Sequence, residues 1–305
     1  QVLSYSLSND NQSLVSASVK QVINNGQSAE LELDLYEDQY GSAELLLTVF
    51  DDDGLTDSTT FSLTVIPVND EPSFNIKSNL KTQNVFEDDA PVIDLDLAEN
   101  IVLGPANESS QSPTFIVSTD NDALFSVLPI ISSTGLVSYS LADNQIGIAN
   151  ITVFVEDNGG VMNSGDNTSS SEQFSIVVSA VNDMPLFDKG PDINVDEDSG
   201  QNTISNWASN ISLEPDNNTP LHNTLSEFLI SVGDNSLFTS LPIINASGDL
   251  IFETASDQNG STQVTVQLVD AGGVADGGVD RSVVKSFNID LNAINDDPVF
   301  VTTPN

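Results

Sequence analysis

The sequence predicts an all-β chain of like sandwich domains arranged end to end, and three observations carry that prediction. The pentapeptide VNDEP at Val68 returns as VNDMP at Val181 and as INDDP at Ile294. The intervals, 181 − 68 and 294 − 181, are both 113 residues, and equal spacing on the scale of a domain marks a tandem array. A period-two apolar stripe recurs with it: Phe61, Leu63 and Val65, then Phe174, Ile176 and Val178, then Phe287, Ile289 and Leu291. Such alternation belongs to a strand with one buried face, and no comparable helical period runs anywhere in the chain.

The elements follow in order. The chain opens on QVLSYSLSND, which alternates like a strand. INNG at Ile23 and SSTG at Ser132 are hairpin-turn signals. AELLLTVFD from Ala43, ANITVFVED from Ala149 and TQVTVQLVD from Thr262 read as one strand met three times. ALFSVLPIISSTGL at Ala123 answers SLFTSLPIINASGD at Ser236, and EDNGG at Glu156 answers VDAGG at Val269. Glycine, proline, Ser, Asn and Asp separate these runs at the spacing of a β-sandwich. Each stripe runs into a VND segment, so VND reads as the linker, with Pro72 stiffening the chain as it enters the next domain. The expected organisation is a partial repeat at 1–70, complete repeats at 71–183 and 184–296, and the start of a further one at 297–305, where Phe300 lies 113 residues beyond Phe187. Both ends read as cuts through a longer tandem protein.

Composition limits the function. Six Lys+Arg stand against 46 Asp+Glu, a formal charge of −40, which repels nucleic acid and anionic lipid and attracts cations. At 38% hydrophobic the chain can bury real cores and is no disordered acidic tail. There is no cysteine, hence neither a disulfide nor a thiolate metal site. No apolar run approaches the ~18 residues that span a bilayer, so membrane insertion is not expected of this segment.

The junctions resemble a known family. PVNDEPSF followed by VFEDD is similar to the cadherin junction, in which Asn-Asp-x-Pro-x-Phe precedes a strand ending in Glu. NWASNISLEPDNN, NDALFSVLPIISSTGLVSYS and VNDMP resemble the cadherin-like tandem repeats of giant bacterial surface proteins and adhesins, and LSYSLSNDNQSLVSASV resembles a sister repeat. The likeness covers essentially the whole chain. It implies cadherin/immunoglobulin-like sandwiches, secreted or attached to the cell surface, monomeric, and commonly stiffened by Ca²⁺ between neighbouring repeats.

The same resemblance implies ligands. Ca²⁺ takes 6–8 oxygens from carboxylates, amides, backbone and water, and a junction can draw them from the lower loops of one domain, the linker and the upper loops of the next. The first junction would gather Glu37, Asp38, Asn69, Asp70, Glu108 and Asp157. The second would gather Glu87, Asp143, Asn182, Asp183, Asp216 and Asp270. A lower half-site would remain at Glu197, Asp257, Asn295 and Asp296. Asp88, Asn144 and Asp198 lie beside these positions. The family's Asp-x-Asn-Asp-Asn linker is altered: its first Asp is Pro67, Ala180 or Ala293, and its last Asn is Glu71, Met184 or Asp297. Fewer ligands point to fewer ions per junction, or to weak sites of about 10⁻⁴–10⁻³ M.

The bland readings stand beside these. Asp and Asn also make turns and keep surfaces solvated. DLDLAEN at Asp94 looks like a ligand cluster, but the third repeat has ISNWASN there, so it reads as surface. Trp207 aligns with Leu97 and reads as core rather than as a sugar platform. The sole histidine, His222, sits in the insertion NNTPLHNTLS with no second nitrogen or sulfur ligand in the chain. A serine nucleophile lacks a base, and the acids track the repeat where an active site would occur once. The expected function is therefore a non-catalytic Ca²⁺-stiffened extender rod supporting cell adhesion. A carbohydrate- or protein-binding module, meeting a surface sugar or protein of another cell, is one alternative; accessory repeats of a secreted hydrolase are another.

Overall fold

A computed structural model describes residues 2–213 and 224–297. The first set of strands is β1 (Ser4–Asn9), β2 (Val15–Ile23), β3 (Ser28–Leu35), β4 (Gly41–Phe50) and β5 (Thr56–Val65). The second comprises β6 (Ser73–Ile76), β7 (Thr82–Phe86), β8 (Val92–Asp96), β9 (Ala98–Val102), β10 (Thr114–Thr119), β11 (Phe125–Ile131), β12 (Leu136–Leu141), β13 (Gly147–Glu156) and β14 (Glu172–Ser179). The third comprises β15 (Leu186–Asp188), β16 (Ile193–Asp196), β17 (Gln201–Ile204), β18 (Ser209–Ser212), β19 (Leu225–Val232), β20 (Phe238–Ile244), β21 (Leu250–Thr254), β22 (Gly260–Asp270) and β23 (Lys285–Asn292). Only single turns of 3₁₀ helix interrupt the strands, and among the described residues every sheet forms within one set.

The second and third sets are sandwiches built alike. One sheet runs β10-β13-β14-β7 and its counterpart β19-β22-β23-β16. The facing sheet runs β11-β12-β8 and its counterpart β20-β21-β17, with a small ribbon, β6-β9 or β15-β18, beside each. All pairs are antiparallel except one per domain: β7 lies parallel on β14, and β16 parallel on β23. The first set repeats part of the plan, β1-β4-β5 facing the β2-β3 hairpin.

The apolar stripes explain the layering. On β13, Ala149, Ile151, Val153 and Val155 are buried, and Phe174, Ile176 and Val178 of β14 join them against Leu97, Val137 and Tyr139 of the other layer. The third core has Val264, Val266, Leu268, Phe287, Ile289 and Leu291 in the corresponding places. Trp207 is buried there: its ring lies 4.2 Å from that of Phe287, and its Nε1 donates to the Pro191 carbonyl at 2.9 Å. It fills the space that Leu97 fills in the second core. His222, by contrast, lies outside the described residues. Burial of an indole with its N–H satisfied makes Trp207 a large stabilising term. Trp207→Ala should lower unfolding stability by about 3–5 kcal/mol; Trp207→Leu should cost less, and urea unfolding of the two variants would rank them.

Candidate metal centres at the interdomain junctions

The two linkers dock in the same way, and the docking begins with an asparagine. Asn182 is buried, and its side-chain Nδ2 donates to Asp270 Oδ1 at 3.1 Å and to the carbonyls of Gly273 and Val279 at 3.1 and 2.9 Å. Its backbone carbonyl accepts from the Val279 N–H at 2.8 Å. Asn69 repeats this one junction earlier. Its Nδ2 donates to Asp157 Oδ1 at 3.0 Å and to the Asp166 carbonyl at 2.6 Å, while the Asp166 N–H donates to its carbonyl at 3.0 Å. Thus residues before each domain are fixed inside that domain's D-x-G turn.

The paired glycines of those turns divide the work. Gly160 and Gly273 take φ of +83° and +80°, a conformation that L side chains rarely adopt. Gly159 and Gly272 serve by lacking a Cβ, which would overlap the side chain of Asn69 or Asn182. Both Asp side chains are buried, and in each Oδ1 also accepts from the glycine N–H two residues on, at 2.8 Å. Oδ2 of Asp157 and Oδ2 of Asp270 are likewise buried, with no hydrogen-bond partner in the protein.

Other acids converge on the first linker. The Asp70 N–H faces both Glu108 carboxylate oxygens at 3.4 Å, and Glu108 is buried. Burial pushes the Glu108 carboxyl above its ordinary range; the Asp70 N–H pulls the other way, and the charges of Asp70, Asp157 and Asp38 add to the rise. These four acids therefore share one electrostatic site. Gln111, which the sequence does not single out, donates to Asn69 Oδ1 at 2.6 Å and keeps a buried, partnerless Oε1. Asn69 and Glu108 line one open cleft and Asp38 and Asp70 a second, with Pro67 and Val68 in the walls of both. Glu37 is exposed, and no contact among the described residues ties it to the others.

At the lower side of the second junction, buried Glu87 follows β7 and its Oε1 accepts from the Val181 N–H at 2.9 Å. Asp183 is half-buried beside Asn182, and Asp143 is exposed in the loop before β13. Asp216 lies outside the described residues. The third site repeats the Glu87 contact: Glu197 is buried, and its carboxylate accepts from the Ile294 N–H at 3.0 Å and from Asn259 Nδ2 at 3.2 Å. Around it, carboxylate oxygens of Asp198, Asp257 and Asp296 lie within 4.8 Å of one another. Partial desolvation, with the charges of Asp257, Asp198 and Glu197, raises the Asp296 carboxyl. Asp198 thus enters the cluster itself, whereas the Asn295 side chain turns to the Asp296 carbonyl at 3.3 Å.

Like-charged carboxylates held this close favour a proton or a cation. The six Lys and Arg side chains do not neutralise them: among the described residues they pair with Glu30, Glu32, Asp96, Glu172, Asp192, Asp280 and Asp188. An all-oxygen set of carboxylates and carbonyls suits a hard divalent cation such as Ca²⁺, and the partnerless Oδ2 atoms fit that use.

No family model and no curated protein matches the chain. Solved structures do. Over 94% of this chain and 90% of the other, it is similar to mouse protocadherin-24 EC1-3, at 15% identity and a TM-score of 0.43. It is also similar to protocadherin gamma B7 extracellular cadherin domains 1-4, at 22% identity and a TM-score of 0.39 over 95% and 67% of the two chains. Drosophila N-cadherin EC1-4 matches at 14% identity and a TM-score of 0.36, over 96% and 67%.

Two outcomes follow. Gly272→Ala should displace Asn182 and cost about 1–3 kcal/mol, the range for overpacking a filled site, read by urea unfolding. In a chelating buffer the native state holds the Glu108 proton more tightly than the unfolded chain does. Stability should therefore fall as pH rises from the ordinary carboxyl range through the raised Glu108 value. Glu108→Gln should flatten that slope in melting curves collected across the same pH range.

Proposed function

We propose that this chain is a non-catalytic, Ca²⁺-stiffened extender segment of a large bacterial extracellular protein, supporting cell adhesion. Its repeats run 71–183 and 184–296, with 1–70 and 297–305 belonging to flanking copies. The observation that carries the reading is the pair of buried, partnerless oxygens, Asp157 Oδ2 and Asp270 Oδ2, at the same place in two successive junctions. A carboxylate oxygen removed from water costs several kcal/mol unless something compensates it, and one such atom could be accidental. Two copies beside docked linkers, in a chain of charge −40, point to a bound cation.

The ligands at the first junction would come from Asp38, Asp70, Glu108 and Asp157, with Glu37 and Asn69 beside them. At the second they would come from Glu87, Asp183 and Asp270, with Asp143, Asn182 and Asp216. The lower site would use Glu197, Asp198, Asp257 and Asp296, with Asn295 beside them. The cation supplies positive charge; the chain's own residues do the rest. Each linker asparagine sets the entry of the linker, and each acid contributes repulsion that disappears once neutralised. A hinge then becomes a stiff joint. Bacterial origin, surface attachment and adhesion enter this proposal through the sequence resemblance. Burial of Trp207 removes the one candidate sugar platform, which favours reach over recognition.

Small-angle scattering and thermal melts in EGTA and then in millimolar CaCl₂ test this. Calcium should lengthen and sharpen the maximum dimension and raise the melting temperature. Asp183→Ala should remove the effect at the second junction, and Asp270→Asn should weaken calcium binding by about tenfold or more, at least the cost of losing an outer-shell partner. Unchanged scattering and melts on adding calcium would overturn the proposal.

A further inference from the structure

The two junctions differ in one amide oxygen. At the second, Asn182 commits its Nδ2 to Asp270 Oδ1 and two loop carbonyls, and its Oδ1 is buried with no hydrogen-bond partner in the protein. At the first, Asn69 Nδ2 is committed in the same way, to Asp157 Oδ1 and the Asp166 carbonyl. Its Oδ1, however, is taken by Gln111 Nε2 at 2.6 Å, and the partnerless amide oxygen there is Gln111 Oε1. Each junction thus holds one buried, partnerless amide oxygen and one buried, partnerless aspartate oxygen, Asp157 Oδ2 or Asp270 Oδ2. The two aspartates are only 6% and 3% exposed.

The loop that carries Gln111 is built to grip the linker. A single 3₁₀ turn spans Ala106–Glu108. The Glu108 N–H donates to the Pro105 carbonyl and the Gln111 N–H to the Glu108 carbonyl, both at 2.9 Å. These bonds set Glu108 against the Asp70 N–H and Gln111 against the Asn69 side chain. Gly159 leaves the room, since a Cβ there would overlap Asn69 Oδ1 and crowd Gln111 Nε2. The next domain has a different residue in this place. Phe115 and Phe228 correspond, each edge-on to a phenylalanine of its domain's first strand, Phe74 or Phe187. Thr224 therefore stands where Gln111 does, 113 residues on, and it is exposed.

An amide oxygen buried without a donor is unfavourable, and amide oxygens are ordinary ligands of Ca²⁺. We propose that the two junctions bind their cation through different amides: Asn182 Oδ1 at the second and Gln111 Oε1, in place of Asn69, at the first. The ligand is an oxygen-seeking divalent cation, and the inference rests on the calcium reading above. Gln111 then has two roles. Its Nε2 withholds the Asn69 oxygen from the ion, and its Oε1 supplies the oxygen withheld.

Carbon NMR of the whole protein, ¹³C-labelled at the side-chain carbonyls of Asn, Asp and Gln, reads the ligands directly in a titration from EGTA into CaCl₂. A carbonyl carbon moves downfield when its oxygen takes a cation. Gln111 Cδ should move, with Asn182 Cγ and the Asp157 and Asp270 carboxylates, while Asn69 Cγ should stay in place. Gln111→Met keeps the length of the side chain and removes both amide atoms. In that variant calcium should move Asn69 Cγ, as it moves Asn182 Cγ in the parent. A stationary Gln111 Cδ beside a moving Asp157 carboxylate would overturn this inference and leave the calcium reading intact. So would an Asn69 shift in the parent equal to that of Asn182. Stationary carboxylates at both aspartates, with no calcium uptake by calorimetry, would overturn both. The parent titration decides the matter even if the variant fails to fold.

Discussion

Everything at the junctions depends on one asparagine side chain per linker, Asn182 buried and Asn69 half-buried. Asn69 and Asn182 each thread an amide into the turn of the domain that follows, where it meets an Asp carboxylate and a loop carbonyl while its own backbone carbonyl is taken up by the same loop. The strand-free linkers, 66–72 and 180–185, would otherwise be swivels. Anchored this way, the linker acids hold a defined place relative to Glu108 or Asp270, and a cluster of like charges becomes a site instead of a diffuse cloud. The turn glycines exist to admit that amide, which is why the D-x-G sequence matters beyond its turn geometry.

The electrostatics follow from the anchoring. Docking takes one oxygen of each turn aspartate into hydrogen bonds and buries the other without a partner. Docking also draws Glu108 out of water against three other acids, so its carboxyl rises and the junction carries like-charge repulsion. The cores of the second and third sandwiches are apolar and separate from the acids. Core packing and junction electrostatics are therefore set by different residues.

The same logic makes the strand carrying Glu87 or Glu197 serve two purposes. It closes the sandwich by covering the last strand, and it delivers a carboxylate that caps the first linker N–H beyond that strand. Covering a core and building a junction are thereby one event.

What the sequence by itself determined was whatever the repeat carries: the all-β class, the strands that the apolar stripes mark, and the linker positions. Leu97 against Trp207 placed the indole in the core, because a residue interchangeable with leucine packs rather than recognises. The grouping of Asn69, Asp70, Glu108 and Asp157 was legible only by analogy, since these residues come from separate loops and spacing alone cannot bring them together. Tertiary structure alone decided the rest. That Asn182 donates its amide inward, that Gly272 is shaped by Asn182 and not by its own backbone, that Gln111 joins the first junction, and that Asp198 sits with Asp257 and Asp296 are all contacts between distant segments. Local pattern reports the period of a strand and the residues of a turn; it is silent on which of two carboxylate oxygens is left buried without a partner, because burial is a property of what the rest of the chain packs around it.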